Sequence, residues 1–121
     1  MKTQLSVVVP IFNEEKNIPK LYKELQATLP KISQQYEIIF IDDGSSDKSF
    51  TLIKALRRKN KKVKYLKFSR NFGHMSAVDA GLNATKGQKI VLMDADLQDP
   101  PSVILKMYKK SKEGFDIVYG I

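Results

Sequence analysis

Leu5-Ser-Val-Val-Val-Pro-Ile-Phe-Asn-Glu-Glu15 is an apolar run that turns abruptly polar. Leu5 to Ile11 is short and rich in β-branched residues, which favours a buried strand over a helix. From Glu14 to Leu29 the apolar residues Ile18, Leu21, Tyr22, Leu25 and Leu29 recur at helical spacing. Asn13 is the expected helix cap, with Glu14 and Glu15 in the first turn, where the helix dipole favours acids. Pro30 is the expected stop. The unit is therefore strand, polar loop, amphipathic helix.

The same unit recurs along the chain. Tyr36 to Ile41 reads as a second strand, followed by the turn Asp42-Asp-Gly-Ser-Ser-Asp47 and a helix from about Ser46 to Arg58. Val63 to Phe68 is a third strand and Gly73 to Ala84 a helix rich in small residues. Gln88 to Met93 is a fourth strand. Pro100-Pro101 starts a helix to about Lys112, since proline suits the first helical turn. Phe115 to Tyr119 is a fifth strand. The order β-α-β-α-β-α-β-α-β predicts an α/β domain with a mainly parallel sheet and right-handed crossovers. The chain ends one residue after Gly120, directly behind a strand. Open α/β enzymes continue past such a point, so residues 1–121 are expected to be the front part of a longer domain.

Composition narrows the function classes. With 42% hydrophobic and 28% charged residues the chain is globular. It has no run of about 18 apolar residues that would span a membrane. Its start, Met1 to Pro10, lacks a small-residue cleavage site and reads as the first strand. There are no cysteines, which excludes disulfides and cysteine metal sites. The net charge of +8, from 21 Lys+Arg against 13 Asp+Glu, favours anionic partners. Much of it lies between Lys54 and Lys67. That stretch reads as a solvated helix end and loop, or else as a patch facing a membrane surface. Nucleic acid is not expected, because the stretch has no interleaved aromatics and no recognisable nucleic-acid motif.

Polar clusters follow the first four strands: Pro10 to Glu15, Asp42 to Asp47, Ser69 to His74, and Asp94 to Asp99. In a parallel sheet these loops share one edge, the edge where open α/β sheets bind ligands. Asp94 and Asp96, two residues apart at a strand end, can converge on one hard divalent cation, with Gln98 adding an amide oxygen. Mg²⁺ and Mn²⁺ prefer oxygen ligands and bridge readily to a diphosphate. Asp42 and Asp43 suit hydrogen bonds from a nucleobase or a ribose hydroxyl. Arg70 and the lone His74 flank a helix start, where a diphosphate is favoured.

These motifs together, Val8 to Glu15, Ile41 to Asp47, Ser69 to His74 and Met93 to Pro101, resemble the inverting family 2 glycosyltransferases with the GT-A fold. The likeness is greatest to the branch that charges polyprenyl phosphates, the bactoprenol glucosyltransferases and dolichol-phosphate mannose synthases. It covers essentially the whole chain, as the nucleotide-binding front part of such an enzyme. The resemblance implies a three-layer Rossmann-like fold in which Pro10, Phe12 and Glu14 line the nucleotide pocket. Phe12 stands where tyrosine is common in the family, so stacking is kept and a hydroxyl lost. Asp42 and Asp43 would meet base and ribose, and Arg70 the diphosphate. Asp94, Asp96 and Gln98 would hold Mg²⁺ or Mn²⁺. The implied donor is a nucleotide-sugar, UDP-linked ahead of GDP-linked. The implied acceptor is a lipid phosphate at the inner face of the cytoplasmic membrane, and the acceptor side and any general base lie outside this chain.

Two other classes share part of this pattern. Aspartate-based phosphotransferases also carry Asp-x-Asp after a strand, but Gln98 stands where they place threonine or valine, and the pair here follows the fourth strand, not the first. A receiver-like module would gather its acids differently from the split between Asp42-Asp43 and Asp94-Asp96, whereas a carbohydrate acceptor, or a chain that binds the donor nucleotide without turnover, stays open as an alternative.

Overall fold

The computed structural model describes residues 3–96 and the backbone of residues 117–120. The elements are β1 (Leu5–Ile11), α1 (Ile18–Ile32), β2 (Tyr36–Asp42), α2 (Ser49–Lys59), β3 (Val63–Lys67), α3 (His74–Ala84), β4 (Lys89–Met93) and β5 (Ile117–Gly120). Each strand pairs parallel to its neighbours in the order β3-β2-β1-β4-β5. This is the expected α/β architecture. The helix expected from Pro100 to Lys112 lies outside the described residues.

The pleat sorts the strand residues onto two faces. Val7 and Val9 of β1 and Ile38 and Phe40 of β2 join Ile18, Leu21, Leu25 and Leu29 of α1 and Ile53 of α2 in one buried cluster. Val8, Ile39 and Ile41, one residue out of step, pack with Ala77 of α3 in the other. Helices therefore cover both faces, giving three layers. Helix α3 comes close to the sheet: a Cβ on Gly81 would stand 2.5 Å from Val8 Cγ1 and 2.6 Å from Ile41 Cδ1.

Two helices start later than their spacing suggests. α1 begins at Ile18, because Asn13 takes a left-handed backbone with φ 54° and a separate turn follows it. Asn17 N and Ile18 N both donate to Glu14 O, at 3.0 and 3.1 Å, and Pro19 then enters the first helical turn. Pro30 does not stop the helix. It sits in the last turn, where α1 runs on to Ile32. α2 begins at Ser49, not Ser46, because the Ser46 and Asp47 N–H groups both donate to Asn13 Oδ1.

At the sheet edge where the strands begin, a buried polar network joins β1, β2, β3 and the α3–β4 loop. Glu37 Oε2 accepts from Ser6 Oγ at 2.5 Å and Lys86 N at 2.7 Å, and Glu37 Oε1 accepts from Lys64 Nζ at 2.7 Å. Gly87 N donates to Ser6 Oγ at 2.8 Å. The basic stretch belongs largely to this end. Arg57 donates to the carbonyls of Lys61 and Val63, and Lys62 Nζ donates to Gln34 O. These cations hold the helix end and its loop in place.

Candidate functional site

At the opposite edge, where the strands end, the polar loops enclose a cavity of about 430 Å³. The end of β1 contributes Pro10 and Ile11, and the loop after it contributes Phe12 and Glu14. Asp43 comes from the loop after β2, and Asn71 and Gly73 from the loop after β3. His74 and Ala77 come from the first turn of α3, and Asp94, Ala95 and Asp96 from the loop after β4. Phe12 is 48% exposed, an aromatic side chain half open beside the cavity.

The loops are tied to one another by side-chain to main-chain bonds. Asp43 is 3% exposed, and its carboxylate accepts three hydrogen bonds from the β3–α3 loop. Oδ1 takes Phe72 N at 2.8 Å, while Oδ2 takes Gly73 N at 3.1 Å and Asn71 Nδ2 at 3.0 Å. Gly44, at φ 72°, lets that loop come close. A Cβ there would lie 2.3 Å from the Arg70 carbonyl carbon, which no side chain tolerates. Asp47 accepts from Glu15 N at 3.2 Å and Ser49 N at 2.9 Å. Burial pushes the Asp47 carboxyl up, but these bonds and the Ser49 hydroxyl hold it below its usual range.

Of the residues expected at the site, Pro10, Phe12, Glu14, Asp43, Asp94 and Asp96 share this cavity. Gln98 lies outside the described residues. Asp42 and Arg70 are not on the cavity wall. Asp42 is fully buried at the end of β2, where Oδ1 accepts from Ser45 N at 3.3 Å and Oδ2 accepts no bond from the described residues. Arg70 lies over the Phe72 ring, 4.5 Å from its centre. Asn71, which no motif singles out, also joins the wall. Its position behind a strand, within a loop already suspected, was the one available signal.

Glu14, Asp43, Asp94 and Asp96 gather acidic side chains in a chain whose net charge is +8. His74 is the one basic residue among the wall residues. A diphosphate entering such a cavity would be repelled unless a cation came with it. Asp94 and Asp96 are both exposed to the cavity and supply hard oxygen donors. Among the described residues no group of three or more acidic or histidine side chains is placed to hold a metal. Two carboxylates nonetheless fit Mg²⁺ or Mn²⁺, which commonly take one or two protein carboxylates and complete their shell with water and substrate phosphate.

A family-wide sequence profile, Glycosyl transferase family 2, matches residues 6–121. The chain belongs to glycosyl transferase family 2. This family 2 chain is 43% identical over 118 residues to the uncharacterized glycosyltransferase YkcC of Bacillus subtilis (strain 168), covering 98% of this chain and 36% of that protein. It is 41% identical over 116 residues to the undecaprenyl-phosphate 4-deoxy-4-formamido-L-arabinose transferase of Photorhabdus laumondii, covering 95% of this chain and 36% of that protein. It thus spans a little over a third of these relatives.

Solved structures agree on the fold, which is GT-A. TarS 1-349 of S. aureus superposes with TM-score 0.75 at 24% identity, over 91% of this chain and 32% of that one. Its complex with UDP-GlcNAc superposes at 0.67 with 27% identity, over 77% of this chain and 26% of that one. GalNAc-T7 with UDP, GalNAc and Mn²⁺ superposes at 0.65 with 26% identity, over 78% of this chain and 18% of that one.

Proposed function

We propose that residues 1–121 are the nucleotide-sugar-binding part of an inverting, metal-dependent glycosyltransferase whose acceptor is a polyprenyl phosphate. The observation that carries this is the cavity at the strand ends, where Phe12 and Glu14 face Asp43 on one side and Asp94 with Asp96 on the other. Phe12 offers a ring for the base, Glu14 and Asp43 offer acceptors for base and ribose N–H and O–H groups, and the first turn of α3 with His74 faces the diphosphate. Asp94 and Asp96, with Gln98, hold Mg²⁺ or Mn²⁺. When bound, that ion neutralises charge on the diphosphate. UDP is the favoured donor nucleotide, supported by the UDP-GlcNAc complex of the TarS neighbour.

In this reading an acceptor oxygen attacks the anomeric carbon from the face opposite the diphosphate. The new C–O bond forms as the old one breaks, the departing nucleoside diphosphate keeps the electron pair, and the anomeric configuration inverts. A phosphate oxygen is already anionic near neutral pH, so the acceptor needs no general base. The lipid-phosphate acceptor is supported by the undecaprenyl-phosphate transferase among the relatives. With such an acceptor, the proposed reaction takes place at the inner face of the cytoplasmic membrane. No described helix is long and apolar enough to cross a membrane. The basic stretch near Lys59 to Lys62 lies at the sheet edge away from the cavity, so membrane docking through it would hold the cavity away from the lipid.

The test is transfer of labelled sugar by a protein carrying this chain, with UDP-sugars and GDP-sugars offered to undecaprenyl phosphate in detergent. Label extracted with the lipid, with inverted anomeric configuration by NMR, is expected. Transfer to a free oligosaccharide with none to the lipid would replace the acceptor half of the proposal.

A further inference from the structure

Among the described residues, Asn13 is the one non-glycine residue with positive φ, at 54°. That backbone region is disfavoured for residues with a Cβ, and asparagine is one of the few that accept it. Backbone held in such a region persists only where its surroundings over-determine it. Here the surroundings are the next loop. Asn13 Oδ1 accepts from Ser46 N at 2.8 Å, Ser46 Oγ at 3.3 Å and Asp47 N at 3.3 Å, and Asn13 N donates to Ser45 Oγ at 2.9 Å. Immediately downstream, Glu14 N donates to Ser49 Oγ at 2.8 Å. None of these bonds belongs to a helix or to the sheet. They fasten the β1–α1 loop to the β2–α2 loop, pairing residues more than thirty positions apart.

Asn13 does not line the cavity, yet Phe12 and Glu14 on either side of it do. We infer that Asn13 is a positioning residue for the nucleotide. By tethering the two loops through its amide oxygen, it sets the Phe12 ring and the Glu14 carboxylate at the base and ribose end of the pocket. It does this without touching the nucleotide itself. The inference rests on the nucleotide-site reading and deepens it. It also explains why the residue is asparagine: the side chain must carry an acceptor, and the backbone must turn left-handed at the same residue.

Two variants separate these requirements. Asn13→Gly accepts the left-handed backbone and lacks the acceptor, whereas Asn13→Asp keeps an acceptor at that position. Calorimetry with UDP and with GDP in Mn²⁺, at a temperature where circular dichroism shows every variant folded, identifies the nucleotide that the wild-type chain binds. The Gly variant is expected to bind it at least about tenfold more weakly, since misplacement of a contact by about 1 Å carries losses of that order or more. The Asp variant is expected to stay within about threefold of wild type, the rescue that this mechanism requires. Without ligand, the Ser46 and Asp47 amide hydrogens should exchange faster in the Gly variant alone.

A Gly variant that binds as tightly as wild type, or an Asp variant as weak as the Gly variant, overturns the positioning role while leaving the nucleotide site standing. Unchanged exchange at Ser46 and Asp47 in the Gly variant overturns the tether. A folded wild-type chain that binds neither nucleotide with Mn²⁺, in a longer natural form as well, overturns the site reading, and the positioning role with it.

Discussion

Strand β2 carries a buried carboxylate near each end, and the two are treated in opposite ways. Glu37, at the start, is 1% exposed and accepts from Ser6, Lys64 and the Lys86 N–H. Asp42, at the end, is fully buried, yet its Oδ2 accepts nothing from the described residues and its Oδ1 takes one long bond from Ser45 N. A buried acceptor left without a donor costs stability. One edge of the sheet is thus closed on itself, and the other is left open in the chemical sense. The basic helix end lies at the closed edge and the acidic cavity at the open one. The polar network that stabilises the fold and the proposed ligand site occupy opposite ends of the same strands.

The largest expected effect lies at the open edge. Asp96→Ala should weaken metal-dependent binding of the donor nucleotide by about 100-fold, roughly 2.8 kcal/mol, with the melting temperature unchanged. Calorimetry in Mn²⁺ alongside thermal melts checks both halves. A variant that binds normally removes Asp96 from the metal role.

At the closed edge the signs exchange. Glu37→Ala leaves the Ser6 hydroxyl and the Lys86 N–H without their acceptor, and should cost about 2–3 kcal/mol in urea unfolding, with Lys64 partly rehydrated. Nucleotide affinity of the folded fraction should not change. The network also has a pH signature. Burial pushes the Glu37 carboxyl up, but the Lys64 and Ser6 hydrogen bonds, the Lys86 N–H and the Lys64 charge hold it below its usual range. The folded value is the lower one, so this stabilisation is present above the usual glutamate range and lost as pH falls through the folded value. The stability gap between wild type and Glu37→Gln should therefore narrow on acidification. A gap that widens would contradict the network.

The smallest effect sharpens the contrast. Asp42→Asn removes a buried charge that the protein does little to satisfy, so stability should stay within about 1 kcal/mol of wild type. A loss as large as that of Glu37→Ala would show that both ends of β2 are structural.

Much of this was legible in the sequence, for a physical reason. Leu5 to Ile11 and Tyr36 to Ile41 are buried on both faces, and continuous apolar runs of that length announce parallel strands. Asp43, Asp94 and Asp96 were readable because a parallel sheet sends every strand-end loop to one edge, whereas the places of Phe12 and Glu14 followed from the family resemblance. Helix starts were harder. Asn13 looks like a cap because capping and left-handed turning draw on the same short amide, and only the fold shows that its acceptor reaches Ser46 and Asp47. The Glu37 network was invisible, since Ser6, Glu37, Lys64 and Lys86 are far apart in the chain and none forms a motif. The split between Asp42 and Asp43 was also hidden. Asp42 ends β2 and Asp43 begins the loop after it, and the sequence does not say which of the two opens on the cavity.

Metal-dependent nucleotide binding at the open edge is the central expectation for this chain. Calorimetric titration of the chain with UDP and with GDP, each with and without Mn²⁺, tests it. One nucleotide, UDP ahead of GDP, is expected to bind, and only with the metal. A folded chain that binds neither nucleotide, in a longer natural form as well, would contradict it.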